Sequence, residues 1–241
     1  MRNPQASRAE EVRRIFADTA RTYERAVNLT TLGMDALWKR RMLDISRQRV
    51  RSPAKILDLA CGTGLVTFAL AGMYPDSTIV GLDITPEYLD IARSKMQPHQ
   101  RDRIFFHQHN ADELEKAELA EFGPFDLIIS SYLPKYVDLS KLTRNCHALL
   151  APGGLLLIHD FTRPRLLLLR ALYNVYWLIL SLFLRFSPWR EAGRDLKRII
   201  WRNDWVREFE TVCRNLNCRV VETRWQPLQI SCIAFFVRDG S

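Results

Sequence analysis

Residues 56–64 read ILDLACGTG. Apolar residues flank an aspartate, and a Gly-Thr-Gly turn closes the run. The chain has only 10 glycines in 241 residues. Two of them directly after a buried-looking strand mark a place where backbone approaches a ligand closely, because no Cβ stands in the way. The apolar stretch LVTFALAGMY (65–74) follows at once. Strand, tight turn and helix in that order open a parallel α/β sheet.

The same alternation continues along the chain. Strands are predicted over 54–60, 77–83, 103–109, 125–131 and 154–161, with helices over 65–74, 86–95 and 139–150. Thr85 is placed as the N-cap of the second of these, with Pro86 in its first turn. Two helices, 8–25 and 34–49, precede the first strand. A long apolar helical region and a helix near 203–216 follow the fifth. Strands 218–225 and 228–237 lie too close together for a helix between them, so they pair as an antiparallel hairpin. The expected fold is therefore α/β: a seven-stranded, mostly parallel sheet with an antiparallel last strand and helices on both faces. No repeat, linker or low-complexity segment divides it, which predicts one domain over 1–241.

The composition, 47% hydrophobic and 26% charged, is that of a globular protein. Five cysteines without CxxC spacing predict reduced thiols, not a disulfide or zinc framework. MRNPQASRAEEVRR carries no apolar core of signal-peptide length, so a cytoplasmic protein is expected. His107 and His109 share one face of the third strand, but without a third ligand nearby they read as structural, and no metal is expected.

In an open parallel sheet, ligands bind beyond the carboxyl ends of the strands. Asp83 closes the second strand, 19 residues past Gly64, where a carboxylate can accept bonds from both hydroxyls of a ribose. That suits NAD and S-adenosylmethionine alike. Three features favour the second. A dinucleotide turn calls for a small residue where Thr67 stands. Asp58 would repel a diphosphate but suits the cationic methionine end of S-adenosylmethionine. The terminal hairpin is not required by a plain dinucleotide fold.

These features resemble the class I S-adenosylmethionine-dependent methyltransferases. ILDLACGTG is similar to the first motif of that family, VGLDI to its second-strand acid, FDLIISSYL to its fourth-strand motif and LAPGGLLLIHDF to its fifth. The resemblance implies S-adenosylmethionine as cofactor, held by Asp58, Ala60, Gly62, Thr63, Gly64, Asp83, Ile84, Asn110, Ala111 and Ser130. Asn110 stands where the family often has an aspartate facing the adenine amino group. Within the class, FADTARTYERAVNLTTLGMDALWKR (16–40) and DFTRPRLLLLRALYNVYWLILSLFLRFSPWREAGRDL (160–196) are similar to the ubiquinone/menaquinone biosynthesis C-methyltransferases. That implies N-terminal lid helices over 1–50, an inserted helical cap over 162–202, and methylation of a prenylated quinol at a ring carbon. The chain departs from the family at Tyr132-Leu133-Pro134-Lys135, where a Gly-Leu-Arg-Asn run is usual. It departs again at Gly193 and Asp195, which replace paired tyrosines, and at Gln229-Ile230-Ser231, where the family has Thr-Gly-Gly.

Methyl transfer is an in-line displacement, so the acceptor must be held behind the methyl group, and a group that takes a proton assists. The candidates are Tyr132, His159 and Asp160 at the ends of strands four and five, Tyr23 from the entry helices, and Asp138. His159 and Asp160 point to opposite sides of their strand. Asp160 matches an acid in the family's fifth-strand motif, and capping the next turn is an equal reading.

The net charge of +8 is concentrated: residues 161–202 hold nine Lys/Arg against two acids. Within them, Leu166 to Leu184 carries a single charge, Arg170. Three readings are open: helices capping the core, a helix in the membrane interface with Tyr173, Tyr176 and Trp177 at headgroup depth, or a membrane span. Spanning would strand Arg170 and Asn174 in lipid and separate strands of one sheet. An anionic membrane contacted through 163–190 is thus an expected partner. RNA is a weaker one, because no clamp for a flipped base follows the fourth strand. Another lipid or natural product as acceptor, and a cofactor-binding scaffold without turnover, are the remaining alternatives.

Overall fold

The computed structural model describes residues 10, 13, 16–17, 20–114, 119, 121–187, 189–216 and 218–240. Seven strands form one sheet: β1 (Lys55–Leu59), β2 (Thr78–Asp83), β3 (Ile104–Gln108), β4 (Phe125–Ser131), β5 (Leu150–Phe161), β6 (Arg219–Trp225) and β7 (Ser231–Val237). Their order is β3-β2-β1-β4-β5-β7-β6. Parallel pairing runs from β3 to β5, and β7 is antiparallel to both β5 and β6. The expected sheet is the observed one.

Eight α-helices accompany it among the described residues: α1 (Tyr23–Thr30), α2 (Met34–Arg49), α3 (Leu65–Met73), α4 (Pro86–Lys95), α5 (Leu139–Leu149), α6 (Leu167–Leu184), α7 (Arg190–Arg202) and α8 (Trp205–Asn215). The helix predicted over 8–25 lies largely outside the described residues up to Ala20. From there a 3-10 turn leads into α1, which runs on to Thr30. Thr85 does stand at the N-cap of α4, but its side chain makes no capping bond.

Period-two alternation along the strands sends successive side chains to opposite faces. One set (Leu57, Leu59, Val80, Ile128, Leu156) packs with Leu142 and Cys146 of α5 and Phe209 of α8. The other (Ile56, Ile79, Leu127, Leu155, Ile233) packs with Met42 and Ile45 of α2, Leu70 of α3 and Leu89 of α4. Both faces are covered, which is why the central strands read as nearly continuous apolar runs. β1 pairs with β2 on one side and β4 on the other. The crossovers leave that point in opposite directions, so a crevice opens at the carboxyl ends of β1 and β4.

A third cluster lies outside the sheet. Tyr173 and Trp177 of α6 bury against Ile200 of α7, with Phe161, Tyr176 and Leu180 around them. These aromatics face the body of the protein, as in the core-capping reading, and not the headgroup region in which the interfacial reading places them. On a helix the residues at spacings of three and four share a face, and here that face is the inner one. The outward face is carried by leucines, valine, isoleucine and phenylalanine instead.

Candidate active site

A cavity of about 230 Å³ lies at the crevice. Of the expected residues, Asp58, Ala60, Gly62, Thr63, Asp83, Ile84, Asn110, Ala111, Tyr132 and Tyr23 line it. Gly64, Ser130, His159 and Asp160 do not.

The turn after β1 is built on unusual backbone. Ala60, Gly62 and Gly64 all have positive φ, at 56°, 55° and 84°. Gly64 faces away from the cavity. A Cβ there would lie 2.6 Å from Phe68 and 3.4 Å from Ala92, so this glycine lets α3 and α4 close up behind the turn. Asp83 pins the turn from the next strand. One carboxylate oxygen accepts the Gly62 N–H at 2.8 Å and the other the Thr85 N–H at 2.8 Å. Burial raises its pKa, and these backbone donors oppose the rise. Each oxygen keeps a lone pair for a further donor.

Asp58 is buried and accepts the Thr67 hydroxyl at 2.6 Å. Burial raises its pKa to about 7 although the Thr67 bond works against the rise. Thr67, larger than a dinucleotide turn calls for, packs between helix and strand here. It is fully buried, and its hydroxyl turns back to the carboxylate. Asn110 borders the cavity, but its side-chain oxygen accepts from the Asp112 N–H at 3.1 Å, capping its own turn. Ser130 donates to the Leu59 carbonyl at 2.7 Å and braces β1 from behind, and it is Ser131 that reaches the cavity.

The expected proton acceptors need correction. Asp160 is fully buried and joined to Lys135, with its oxygens accepting from Lys135 Nζ at 2.6 Å, Lys135 N at 2.9 Å and Phe161 N at 2.7 Å. Burial pushes this carboxyl up and the ammonium down, while their mutual attraction opposes both shifts. It is a structural pair that ties β5 to the loop after β4. His159 is also fully buried. Its Nδ1 lies 3.2 Å from the Ser131 hydroxyl, and its ring lies between Trp38 and Tyr132. Burial, with Lys39 and Lys135 nearby, holds its pKa well below 6.5, so it is a neutral imidazole. Asp138 caps α5 through the Lys141 N–H at 2.9 Å and is absent from the lining. His107 packs on Phe122, with ring centroids 5.4 Å apart.

Tyr132, held at φ 69°, stacks on Phe161 at 4.8 Å and donates its hydroxyl to Asp35 at 2.7 Å. Burial and Asp35 push its pKa well above 10, so it serves as a neutral donor and not as a base. Lys39 bonds the same Asp35 carboxylate and lies 5.2 Å above the Tyr132 ring, on the cavity wall. This Asp35–Lys39–Tyr132 group was not singled out from sequence, although the i, i+4 spacing of Asp35 and Lys39 in α2 could have drawn attention to it. Tyr23 lies 5.2 Å from Tyr88, 6.0 Å from Phe16 and 6.2 Å from Trp189 between ring centroids. Burial raises its phenol as well.

Two ties fasten the helices over the cavity. Glu24 of α1 accepts from the Thr63 hydroxyl and from Lys95, which links the entry helix to the glycine turn. Tyr176 of α6 donates to the Thr30 carbonyl, and Trp189 donates to the Thr22 hydroxyl at 3.2 Å.

The whole arrangement fits an adenosyl cofactor: a buried carboxylate ending β2, a second carboxylate on β1, and a tight turn of positive-φ residues between β1 and α3 that lines the cavity through Ala60 and Gly62. The family model described as the ubiE/COQ5 methyltransferase family matches residues 4–186. The chain belongs to that family. It is an S-adenosylmethionine-dependent methyltransferase. Among curated relatives, a ubiquinone/menaquinone biosynthesis C-methyltransferase from Geobacter sp. (strain M21) is 30% identical over 77% of this chain and 80% of its own. A demethylmenaquinone methyltransferase from Thermus thermophilus is 31% identical over 68% of this chain and 71% of its own. Among solved structures, the plantazolicin methyltransferase BpumL superposes with a TM-score of 0.64 at 12% identity, covering 98% and 99% of the two chains. The N-methyltransferase NodS from Bradyrhizobium japonicum gives 0.56 at 15% identity, covering 85% and 96%. At such identities these two speak for the fold alone. In this member of the ubiE/COQ5 family, Tyr132, Lys39 and the inner side of α6 line the same cavity as the glycine turn and Asp83.

Proposed function

We propose that this methyltransferase methylates a ring carbon of a small lipophilic aromatic acceptor, a prenylated quinol. The carrying observation is the cavity wall. Its lining includes Tyr23, Tyr132, Tyr136, Phe161, Tyr176 and Trp177, with Leu180 and Leu184 of α6, and the lysines Lys39 and Lys135 among them. Such a wall suits a ring with an isoprenoid tail and offers little to a polar or polyanionic substrate. The names of the curated relatives agree with a quinone-pathway acceptor.

S-adenosylmethionine would supply a methyl group bonded to its sulfonium sulfur, and the residues of this chain would do the positioning. Asp83 accepts the ribose hydroxyls with the lone pairs its backbone donors leave free. Asp58 pairs with the methionine ammonium, with Ala60, Gly62 and Thr63 beside it. Ile84, Asn110 and Ala111 border the adenine, while Gly64 and Ser130 support the turn from behind. Tyr23 and Tyr132 hold the acceptor ring, and the Lys39 ammonium faces its hydroxyl. One carbon–sulfur bond breaks, one carbon–carbon bond forms, and the proton of the ring carbon leaves to water. His159 and Asp160 keep Tyr132 and Lys135 in place without meeting substrate. The enzyme works in the cytoplasm, peripherally at a membrane.

Incubation with methyl-deuterated S-adenosylmethionine and fractionated host extract, followed by mass spectrometry, tests this reading. Label on a quinone ring is the expected result. Label in RNA or in polar metabolites would overturn it. Cofactor binding with no labelled product would replace it with a scaffold role.

A further inference from the structure

We propose that the outward face of α6 and an arginine pocket at its N-terminal end form one docking surface for an anionic lipid bilayer. α6 is long and apolar enough to cross a membrane by length and composition, yet its inner face forbids crossing. Tyr173 and Trp177 are only 7% and 5% exposed, packed against α7, and both flanking segments return to the same sheet. The opposite face is bare. Leu168, Leu172, Val175, Ile179, Leu182 and Phe186 follow one another at spacings of three and four, from 49% to 91% exposed. Eighteen residues at 1.5 Å each make this a strip about 27 Å long. A contiguous apolar strip of that size marks a contact surface in a soluble fold. Its geometry is that of a helix lying flat in the bilayer interface.

The second observation is independent. Beside the start of α6 lies a pocket of about 120 Å³, lined by Arg163, Arg165 and Arg170 with Asn203, Trp205 and Trp225. Thr162 and the Asp204 carboxylate complete the lining. Arg165 lies 4.3 Å above the Trp225 ring, Arg170 Nε donates to the Pro164 carbonyl at 3.3 Å, and Arg163 donates to the Trp201 carbonyl at 3.4 Å. Each guanidinium carries five N–H donors, so most of them remain for an anion, and one carboxylate does not balance three cations. A lipid phosphate fits that donor set. Arg185 and Arg190 stand exposed at the other end of the strip. Basic residues at both ends also argue against self-association, because a two-fold pairing of α6, parallel or antiparallel, sets arginines against arginines.

Lying flat, α6 becomes the partition between bilayer and cavity. Its outer side meets acyl chains while Tyr176, Trp177, Leu180 and Leu184 line the acceptor wall. The purpose of the surface rests on the lipophilic acceptor proposed above, but its existence does not.

The test is sedimentation of the full chain with phosphatidylcholine vesicles, with and without about one-third phosphatidylglycerol. At least tenfold tighter binding to the anionic vesicles is expected. Arg163→Gln/Arg165→Gln/Arg170→Gln should remove that preference. Leu168→Asn/Leu172→Asn/Ile179→Asn should abolish binding to both vesicles. Both variants should keep S-adenosylmethionine affinity and methylation of a short-chain, water-soluble quinol, which reports on the proposed function separately. Unchanged sedimentation of either variant would overturn the proposal. So would absence of vesicle binding together with dimers by light scattering, with saturable binding of RNA, or with saturable binding of inorganic phosphate, the last marking a free-phosphate site.

Discussion

If Asp58 pairs with the methionine ammonium, cofactor affinity must follow its ionisation. Its pKa of about 7 comes from burial, only partly offset by the Thr67 bond. Between pH 5 and 7 the ionised share of this carboxylate in the ligand-free protein climbs from about one in a hundred to about one half. That is ~50-fold, or about 2.3 kcal/mol, if the bound ammonium keeps Asp58 ionised throughout. The dissociation constant of S-adenosylmethionine, measured by calorimetry in buffers of different ionisation enthalpy, should fall towards that factor over this range, with release of a proton on binding near pH 6. Thr67→Val removes the bond that lowers the pKa and should move the midpoint upward. Asp58→Asn should bind weakly and without pH dependence. A wild-type change of less than about threefold from pH 5 to 7, or the same slope in Asp58→Asn, would refute the pairing. The sign for folding follows from linkage: a carboxyl whose folded pKa lies above its ordinary 3.8 favours the folded state when protonated. That contribution is complete below pH 4 and is lost as pH rises through about 7.

Asp160→Asn takes from the buried Lys135 ammonium the carboxylate 2.6 Å away, which costs about 3–5 kcal/mol in urea unfolding. Joint replacement, Lys135→Met with Asp160→Leu, should recover most of it; a hundredfold loss of turnover with stability intact would instead restore Asp160 as a proton acceptor. Gly64→Ala puts a Cβ 2.6 Å from Phe68 at a φ of 84°. Backbone strain and overpacking together predict about 2–4 kcal/mol of destabilisation, and a midpoint shift equivalent to less than 0.5 kcal/mol would contradict the packing role.

The cofactor half of the site was legible because it is local. ILDLACGTG and Asp83 sit on adjacent strands whose register follows from the alternation of strand and helix, and the Gly62 N–H indeed meets Asp83. The catalytic half is not local. Tyr132, Lys135, His159 and Asp160 were all within reach of the right region, and which of them faces the cavity depends on pairings that no spacing reveals. Lys135 pairs with Asp160 across 25 residues, and Tyr132 pairs with Asp35 across 97. The acid that matched a family motif was open to a chemical and a capping reading alike, and its bonds to Lys135 and to the Phe161 N–H make it structural.

α6 shows the same limit from the other direction. A segment that is apolar on every side gives no period from which to tell inside from outside. The aromatic side chains suggested headgroup contact by analogy with interfacial belts, but Tyr176 donates its hydroxyl inward to the Thr30 carbonyl, and Tyr173 and Trp177 pack edge to face on the inner side. Leucine has no polar side-chain atom, so its exposure is compensated only by another apolar phase. This division of faces sends Tyr176 and Trp177 inward to wall the cavity and leaves the leucines outside. It also makes two substitutions on one helix diagnostic: Trp177→Ala should weaken acceptor binding without altering vesicle affinity, and Leu172→Asn should do the reverse. If both substitutions move both quantities together, α6 does not divide its faces between substrate and membrane.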